Sequence, residues 1–180
     1  MVKLFVSIEL PDFIKNELIT IQKKLKRLDL FEGSYIVPEN LHCTVFFIGI
    51  VAEDDLTALE KKLTVFSFSA FQAHLGTVGL NSVERPHVLW VTVPTSLLTV
   101  LAQQIEQQLP EYRQERVFTG HITIGRIKKV IQRTALYEFI NSFTISPLKW
   151  DVEALYLQES KTDQLGSQYF TRSIITLSAD

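Results

Sequence analysis

Two copies of the tripeptide His-x-Thr (the HxT motif) stand in this chain of 180 residues, each inside an apolar, β-branched run. The first copy spans residues 42–44 (His-Cys-Thr) and the second spans residues 121–123 (His-Ile-Thr). Successive side chains of a β-strand point to opposite faces, so the histidine and threonine of each copy share a face. An imidazole beside a hydroxyl is a reactive pair. Two such pairs predict two histidines that face each other across a cleft.

A pair of histidines can divide the work of proton transfer. A neutral imidazole accepts a proton from the attacking group, while a protonated imidazole donates one to the leaving group. The ordinary imidazole pKa of about 6.5 suits both roles near neutral pH. The hydroxyls of Thr44 and Thr123 can bind the oxygens of a phosphoryl group. We therefore predict that His42 and His121 are catalytic and that the two threonines bind substrate.

Two residues that follow the motifs are further candidates for substrate binding. Arg126 adds a guanidinium fork that matches the geometry of a phosphate. Strict alternation puts Arg126 on the face opposite His121, so it reaches the cleft only if Gly125 marks a β-bulge or a strand end. Phe46 is predicted to share the face of His42, where it either stacks on a base or belongs to the core.

The same residue types also allow purely structural interpretations. A single histidine in a strand is usually structural, and threonine is favoured in strands for its shape alone. The repetition of the motif in matching positions favours a functional reading, and His74 and His87 lack that context. Cys43 alternates away from His42, so we expect a buried, inert thiol.

Composition and charge narrow the class of protein. The formal net charge is −2, with 46% hydrophobic and 21% charged residues, as in ordinary soluble globular proteins. This charge argues against broad nonspecific binding of nucleic acid. The longest uncharged apolar stretch, residues 41–51, is too short to span a bilayer. The N-terminus lacks the form of a signal peptide. One cysteine and four scattered histidines offer no zinc-binding spacing. We expect a cytoplasmic monomer with no metal, cofactor or membrane partner.

The elements that must position the motifs occur in the same order in both halves of the chain. Each half is predicted to contain a strand, a helix, a loop, the HxT strand, a helix and a strand. In the first half, residues 3–10 are predicted as a strand, 31–40 as a loop and 66–80 as a strand. This order predicts one α+β domain over residues 1–180, made of two pseudo-symmetric lobes. Two mostly antiparallel sheets would line a central cleft, with the helices outside.

The motifs and their flanks resemble a known family. Residues 37–44 (Val-Pro-Glu-Asn-Leu-His-Cys-Thr) and 121–128 (His-Ile-Thr-Ile-Gly-Arg-Ile-Lys) resemble the two signatures of the 2H phosphoesterase superfamily, and residues 4–11 resemble its opening strand. Within it, the chain is similar to the bacterial and archaeal RNA 2′,3′-cyclic phosphodiesterases, long called 2′-5′ RNA ligases. Cys43 and Phe46 depart from the first signature, where such enzymes commonly carry Leu and a basic residue.

The resemblance implies a hydrolase that opens RNA 2′,3′-cyclic phosphate ends to 2′-phosphomonoesters without a metal. His42 would donate a proton to the leaving 3′ oxygen, and His121 would activate water. Thr44 and Thr123 would hold the phosphate, assisted by Arg126. Partners would be RNA ends or small cyclic-phosphate nucleotides. Three alternatives stay open: ATP-independent 2′-5′ RNA ligation, another cyclic or 2′-5′ phosphodiesterase activity, and a non-catalytic RNA-binding module.

Overall fold

A computed structural model of the protein describes residues 1–113, 117–164 and 166–179. These residues form four helices, α1 (Asp12–Leu28), α2 (Leu56–Thr64), α3 (Ser96–Gln108) and α4 (Arg133–Ser142). They also form ten strands, β1 (Val2–Glu9), β2 (Phe31–Tyr35), β3 (His42–Val51), β4 (Phe71–His74), β5 (Val78–Leu80), β6 (Val88–Thr92), β7 (His121–Val130), β8 (Lys149–Val152), β9 (Ala154–Asp163) and β10 (Gly166–Thr176). The predicted α+β class is confirmed.

Eight of the strands form one large antiparallel sheet in the order β10-β9-β1-β3-β7-β6-β5, and β2 pairs with β7 beside this path. The other two strands, β4 and β8, form a small antiparallel sheet. Strands β1 and β3 pair along their length, whereas β3 and β7 are joined only through Cys43 and Ile122. The large sheet therefore consists of two halves that meet where the two HxT strands begin.

The helices cover the sheet because each carries an apolar stripe. In α1, residues spaced three or four apart are fully buried, namely Ile14, Leu18, Ile21 and Leu25. Helix α1 contacts β7, and α3 contacts β3. In β1, the even-numbered Leu4, Val6 and Ile8 belong to the same core. Of the odd-numbered residues of β1, Lys3, Phe5 and Glu9 line cavities, whereas Ser7 is fully buried.

Three predicted elements need correction. Residues 31–40, predicted as a loop, contain β2, because Gly33 lets the backbone of β7 approach closely. A Cβ at Gly33 would lie 2.0 Å from the Arg126 carbonyl oxygen. The single strand predicted over residues 66–80 is two short strands, β4 and β5, which belong to different sheets. Strand β8, only four residues long, was not predicted.

Candidate active site

The two HxT motifs lie side by side at the junction of the sheet halves. Cys43 pairs with Ile122 in antiparallel register. This register puts His42 across from Thr123 and Thr44 across from His121, all four on the sheet face opposite to Cys43 and Ile122. All four of these side chains line one cavity of about 220 Å³. The structure thus brings together the four residues that the motifs single out.

Both imidazoles are oriented by a backbone carbonyl two residues earlier in the chain. His42 Nδ1 lies 2.8 Å from the Asn40 oxygen, and His121 Nδ1 lies 2.6 Å from the Thr119 oxygen. A carbonyl can only accept, so Nδ1 carries a proton in each ring and Nε2 remains for chemistry. His42 Nε2 also lies 2.9 Å from Thr44 Oγ1, which can donate to it when the ring is neutral.

Aromatic side chains, which the sequence reasoning did not assign, enclose the histidines. The His42 ring centroid lies 5.0 Å from that of Phe5 and 5.1 Å from that of Tyr169. The His121 ring lies 4.5 Å from that of Trp90. Strand alternation in β1 is a signal that could have found Phe5, because Lys3, two residues earlier on the same face, also lines the cavity. A second cavity of about 160 Å³ shares Phe5, His42 and Tyr169 with the first.

The pKa values of both histidines are lowered from their ordinary value. For His42 the main cause is burial; the bond to the Asn40 carbonyl raises the pKa, and the charges of His121 and Arg126 lower it. For His121 burial is again the main cause. The bond to the Thr119 carbonyl raises the pKa of His121, and the charge of Arg126 lowers it. The free site therefore favours neutral rings. A bound phosphate anion would favour protonation of one of them.

Strand β7 contains a β-bulge that turns Arg126 toward the cleft. Thr123 pairs with Trp90 and Gly125 pairs with Leu89, which leaves Ile124 as the extra residue. Alternation reverses after an inserted residue. Arg126 consequently lines the cavity with the two histidines. The bulge anticipated from the sequence exists, but its extra residue is Ile124 and not Gly125.

The same irregularity occurs in β3 and overturns the candidate role of Phe46. Thr44 pairs with Ser7 and Phe46 with Val6, so Val45 is the extra residue. Phe46 is only 5% exposed and belongs to the core. Phe47 is 41% exposed and lines the cavity instead. Phe46 is therefore wrong as a substrate-binding residue, and Phe47 occupies the position that Arg126 has in β7, five residues after the histidine.

Gln22 of α1 holds the bulge in β7 from outside the sheet. Its side chain is 8% exposed and donates to the carbonyl oxygens of Ile124 at 2.9 Å and Ile36 at 2.8 Å. The Ile36 N–H donates to the same Ile124 oxygen at 3.1 Å. Gln22 and Ile36 together thus satisfy the bulged carbonyl. Sequence reasoning missed Gln22, because a glutamine in an amphipathic helix is typical of a solvated position.

The remaining sequence candidates lie apart from this chemistry. Cys43 is fully buried, and burial raises the pKa of its thiol to about 12, which fits the expected inert role. Neither His74 nor His87 lines the cavity. Within the described ranges, no group of three or more His, Cys, Asp and Glu could hold a metal ion. No helix in the described part of the chain is long and apolar enough to cross a membrane.

This chain is similar to known proteins both in sequence and in fold. A model of the 2′-5′ RNA ligase superfamily matches residues 19–164. The RNA 2′,3′-cyclic phosphodiesterase of Archaeoglobus fulgidus is 31% identical over 131 residues, covering 71% of this chain and 73% of the relative. That of Methanocaldococcus jannaschii is 30% identical over 146 residues, covering 78% and 80%. Escherichia coli LigT has the same fold, with a TM-score of 0.78 at 23% identity over 98% of both chains; it has also been solved with phosphate and with 3′-AMP.

Proposed function

The chain belongs to the 2′-5′ RNA ligase superfamily, and from this premise we propose that it hydrolyses 2′,3′-cyclic phosphate ends of RNA to 2′-phosphomonoesters. One observation carries the proposal. Two imidazoles, each fixed through Nδ1 and each with Nε2 left for proton transfer, share a cavity with two threonines and one arginine. The relatives named as RNA 2′,3′-cyclic phosphodiesterases support the choice of substrate.

The proposed reaction uses both rings in opposite protonation states. Neutral His121 takes a proton through Nε2 from a water molecule, whose oxygen attacks the phosphorus. The bond from phosphorus to the 3′ oxygen breaks, and protonated His42 donates its Nε2 proton to that oxygen. The products are a 2′-phosphomonoester and a free 3′-hydroxyl. The proton gained by His121 and the one lost by His42 balance through solvent.

Threonines and Arg126 are proposed to bind the phosphate in both ground and transition states. When His42 is protonated, its Nε2 no longer accepts from Thr44, so this hydroxyl can donate to a phosphoryl oxygen. Thr123 can do the same from the other strand. Arg126 supplies the positive charge that faces the charge developing on the phosphate. The site thus contains an acid, a base and hydrogen-bond donors to the phosphate anion, so the proposed reaction needs no metal.

Phe47 is proposed as a stacking surface for the base of the terminal nucleotide. Its ring is exposed within the cavity that also contains His42, and base–aromatic stacking tolerates any sequence because every base has a π face. Phe47 and Arg126 occupy matching positions of the two HxT strands, so one strand brings an aromatic ring to the cleft and the other a guanidinium. We infer that residues 1–180 act as one unit of two pseudo-symmetric lobes, because each HxT strand contributes one histidine–threonine pair to the same cavity.

The test is turnover of an oligonucleotide that ends in a 2′,3′-cyclic phosphate, in excess EDTA, with the product identified by chromatography against standards that end in a 2′-phosphate or a 3′-phosphate. Release of a 2′-phosphomonoester is the expected result. A 3′-phosphomonoester would contradict the assigned leaving group, and loss of turnover with EDTA would contradict the metal-free mechanism. Adding a strand with a 5′-hydroxyl end separates hydrolysis from ligation, because only ligation makes a longer product.

A further inference from the structure

Lys3 is a cation of the cleft that the reaction at the histidines does not use. It lines the same cavity as His42 and Arg126, and its side chain is exposed. Within the part of the chain that the structure describes, no carboxylate oxygen lies within 4.0 Å of its ammonium. Other lysines do have such partners, namely Lys15, Lys62, Lys129 and Lys161. Lys3 therefore presents an unneutralised charge to whatever enters the cleft.

The ammonium of Lys3 is held at the cleft by an aromatic ring. Its Nζ lies 5.3 Å from the centroid of Phe47, within the range of a cation–π contact. Such a contact at an exposed site is weak, so the ammonium can exchange it for a stronger partner. The ring proposed to stack on the terminal base thus lies next to a charge that can bind the same nucleotide.

A serine hydroxyl lies beside Lys3 in the same cavity. The β1–β9 pairing puts Lys3 opposite Ser160, and Ser160 pairs in turn with Tyr169 of β10. Ser160 and Ser167 both line the cavity. The ammonium of Lys3 and the hydroxyl of the neighbouring Ser160 suit a second phosphate, since each can donate to a phosphate oxygen.

We propose that Lys3 and Ser160 bind the phosphodiester on the 5′ side of the terminal nucleotide. The proposal rests on the proposed function and makes the preferred substrate an oligonucleotide end, not a mononucleoside cyclic phosphate. Phe5, whose ring contacts His42, lies two residues after Lys3 on the same strand face, a step of roughly 7 Å at the usual strand rise. That step is comparable with the spacing of successive phosphates along an RNA strand.

The experiment compares adenosine 2′,3′-cyclic phosphate with the dinucleotide ApA that ends in the same cyclic phosphate. We expect kcat/KM of the unmodified protein to be about twofold to fivefold higher for the dinucleotide, the size of one exposed charge contact. Lys3→Met should bring this ratio close to one. For the dinucleotide, the slope of log KM against log salt should also fall by up to about 0.7.

Lys161→Met is the matched control. Lys161 is also a lysine over a phenylalanine, 5.1 Å from the Phe170 centroid, but it points to the opposite face of the sheet, near Glu159. The ratio should survive in Lys161→Met. A ratio near one in the unmodified protein, an equal fall for both substrates in Lys3→Met, or an equal effect of Lys161→Met would overturn the proposal.

A binding measurement separates this inference from the proposed function. Calorimetry with adenosine 2′-phosphate and with ApA 2′-phosphate needs no turnover. If neither cyclic substrate is hydrolysed but ApA 2′-phosphate binds more tightly through Lys3, the proposed reaction fails and the second phosphate site stands. If hydrolysis occurs but the two ligands bind alike, the second site fails alone.

Discussion

Replacement of Gln22 by leucine should affect both the stability of the fold and the chemistry of the cleft. The two side-chain bonds of Gln22, at 2.8 and 2.9 Å, end on the carbonyls of Ile36 and Ile124. Loss of donors to buried carbonyls costs about 1–3 kcal/mol of unfolding free energy. For a chain of 180 residues that corresponds to a fall in Tm of roughly 3–10 °C. Thermal unfolding measures it directly.

The catalytic effect follows from the bulge that Gln22 supports. With the Ile124 carbonyl held only by the Ile36 N–H, the bulge can relax and Arg126 loses its position. We expect kcat/KM to fall about tenfold to a hundredfold, the usual result of an ångström-scale misplacement. Because Arg126 lowers the pKa of both histidines, its displacement should also move the pH–rate profile to higher pH. A merely structural glutamine would not move that profile.

Gln108→Leu is the control for this prediction. Gln108 of α3 is partly buried and donates one bond, at 3.2 Å, to the Lys62 carbonyl, away from the cavity. Gln108→Leu should lose some stability while keeping kcat/KM and the pH profile. If Gln22→Leu keeps full activity with an unchanged profile at a temperature well below its Tm, the positioning role of Gln22 is refuted.

Four further predictions concern residues of the two HxT strands. His42→Ala and His121→Ala should each lower kcat/KM about 10²–10⁴-fold with unchanged circular dichroism; wild-type turnover in either variant would exclude it as acid or base. The reaction needs one neutral and one protonated ring, and both pKa values are lowered from 6.5, so the kcat/KM profile should be bell-shaped with its maximum below pH 6.5. Arg126→Met removes a positive charge, which raises both pKa values, so its maximum should move to higher pH; a maximum that stays in place would contradict the electrostatics. Phe46→Ala should cost about 3–5 kcal/mol of unfolding free energy, whereas Phe47→Ala should mainly weaken nucleotide binding by about 1–3 kcal/mol. Denaturant unfolding and KM distinguish these two variants, and the reverse pattern would contradict the bulge in β3.

Local pattern was enough to predict the two HxT pairs and the class of fold. Alternation over the three residues of each motif places a histidine and a threonine on one face, whatever the rest of the chain does. The flanking residues carried the family resemblance, which the superfamily match over residues 19–164 confirms. Long amphipathic helices such as α1 were predictable for the same reason, because their apolar residues recur every three or four positions along the sequence.

The contacts and side-chain directions outside the motifs depend on the tertiary structure. Tyr169 reaches the His42 ring from β10, a strand distant along the chain, and no local pattern reports such a contact. The faces of Phe46, Phe47 and Arg126 depend on one extra residue in each HxT strand. An inserted residue is stable only where its unpaired backbone groups find partners. For β7 those partners are Gln22 and Ile36, which the chain brings to the strand only when it folds.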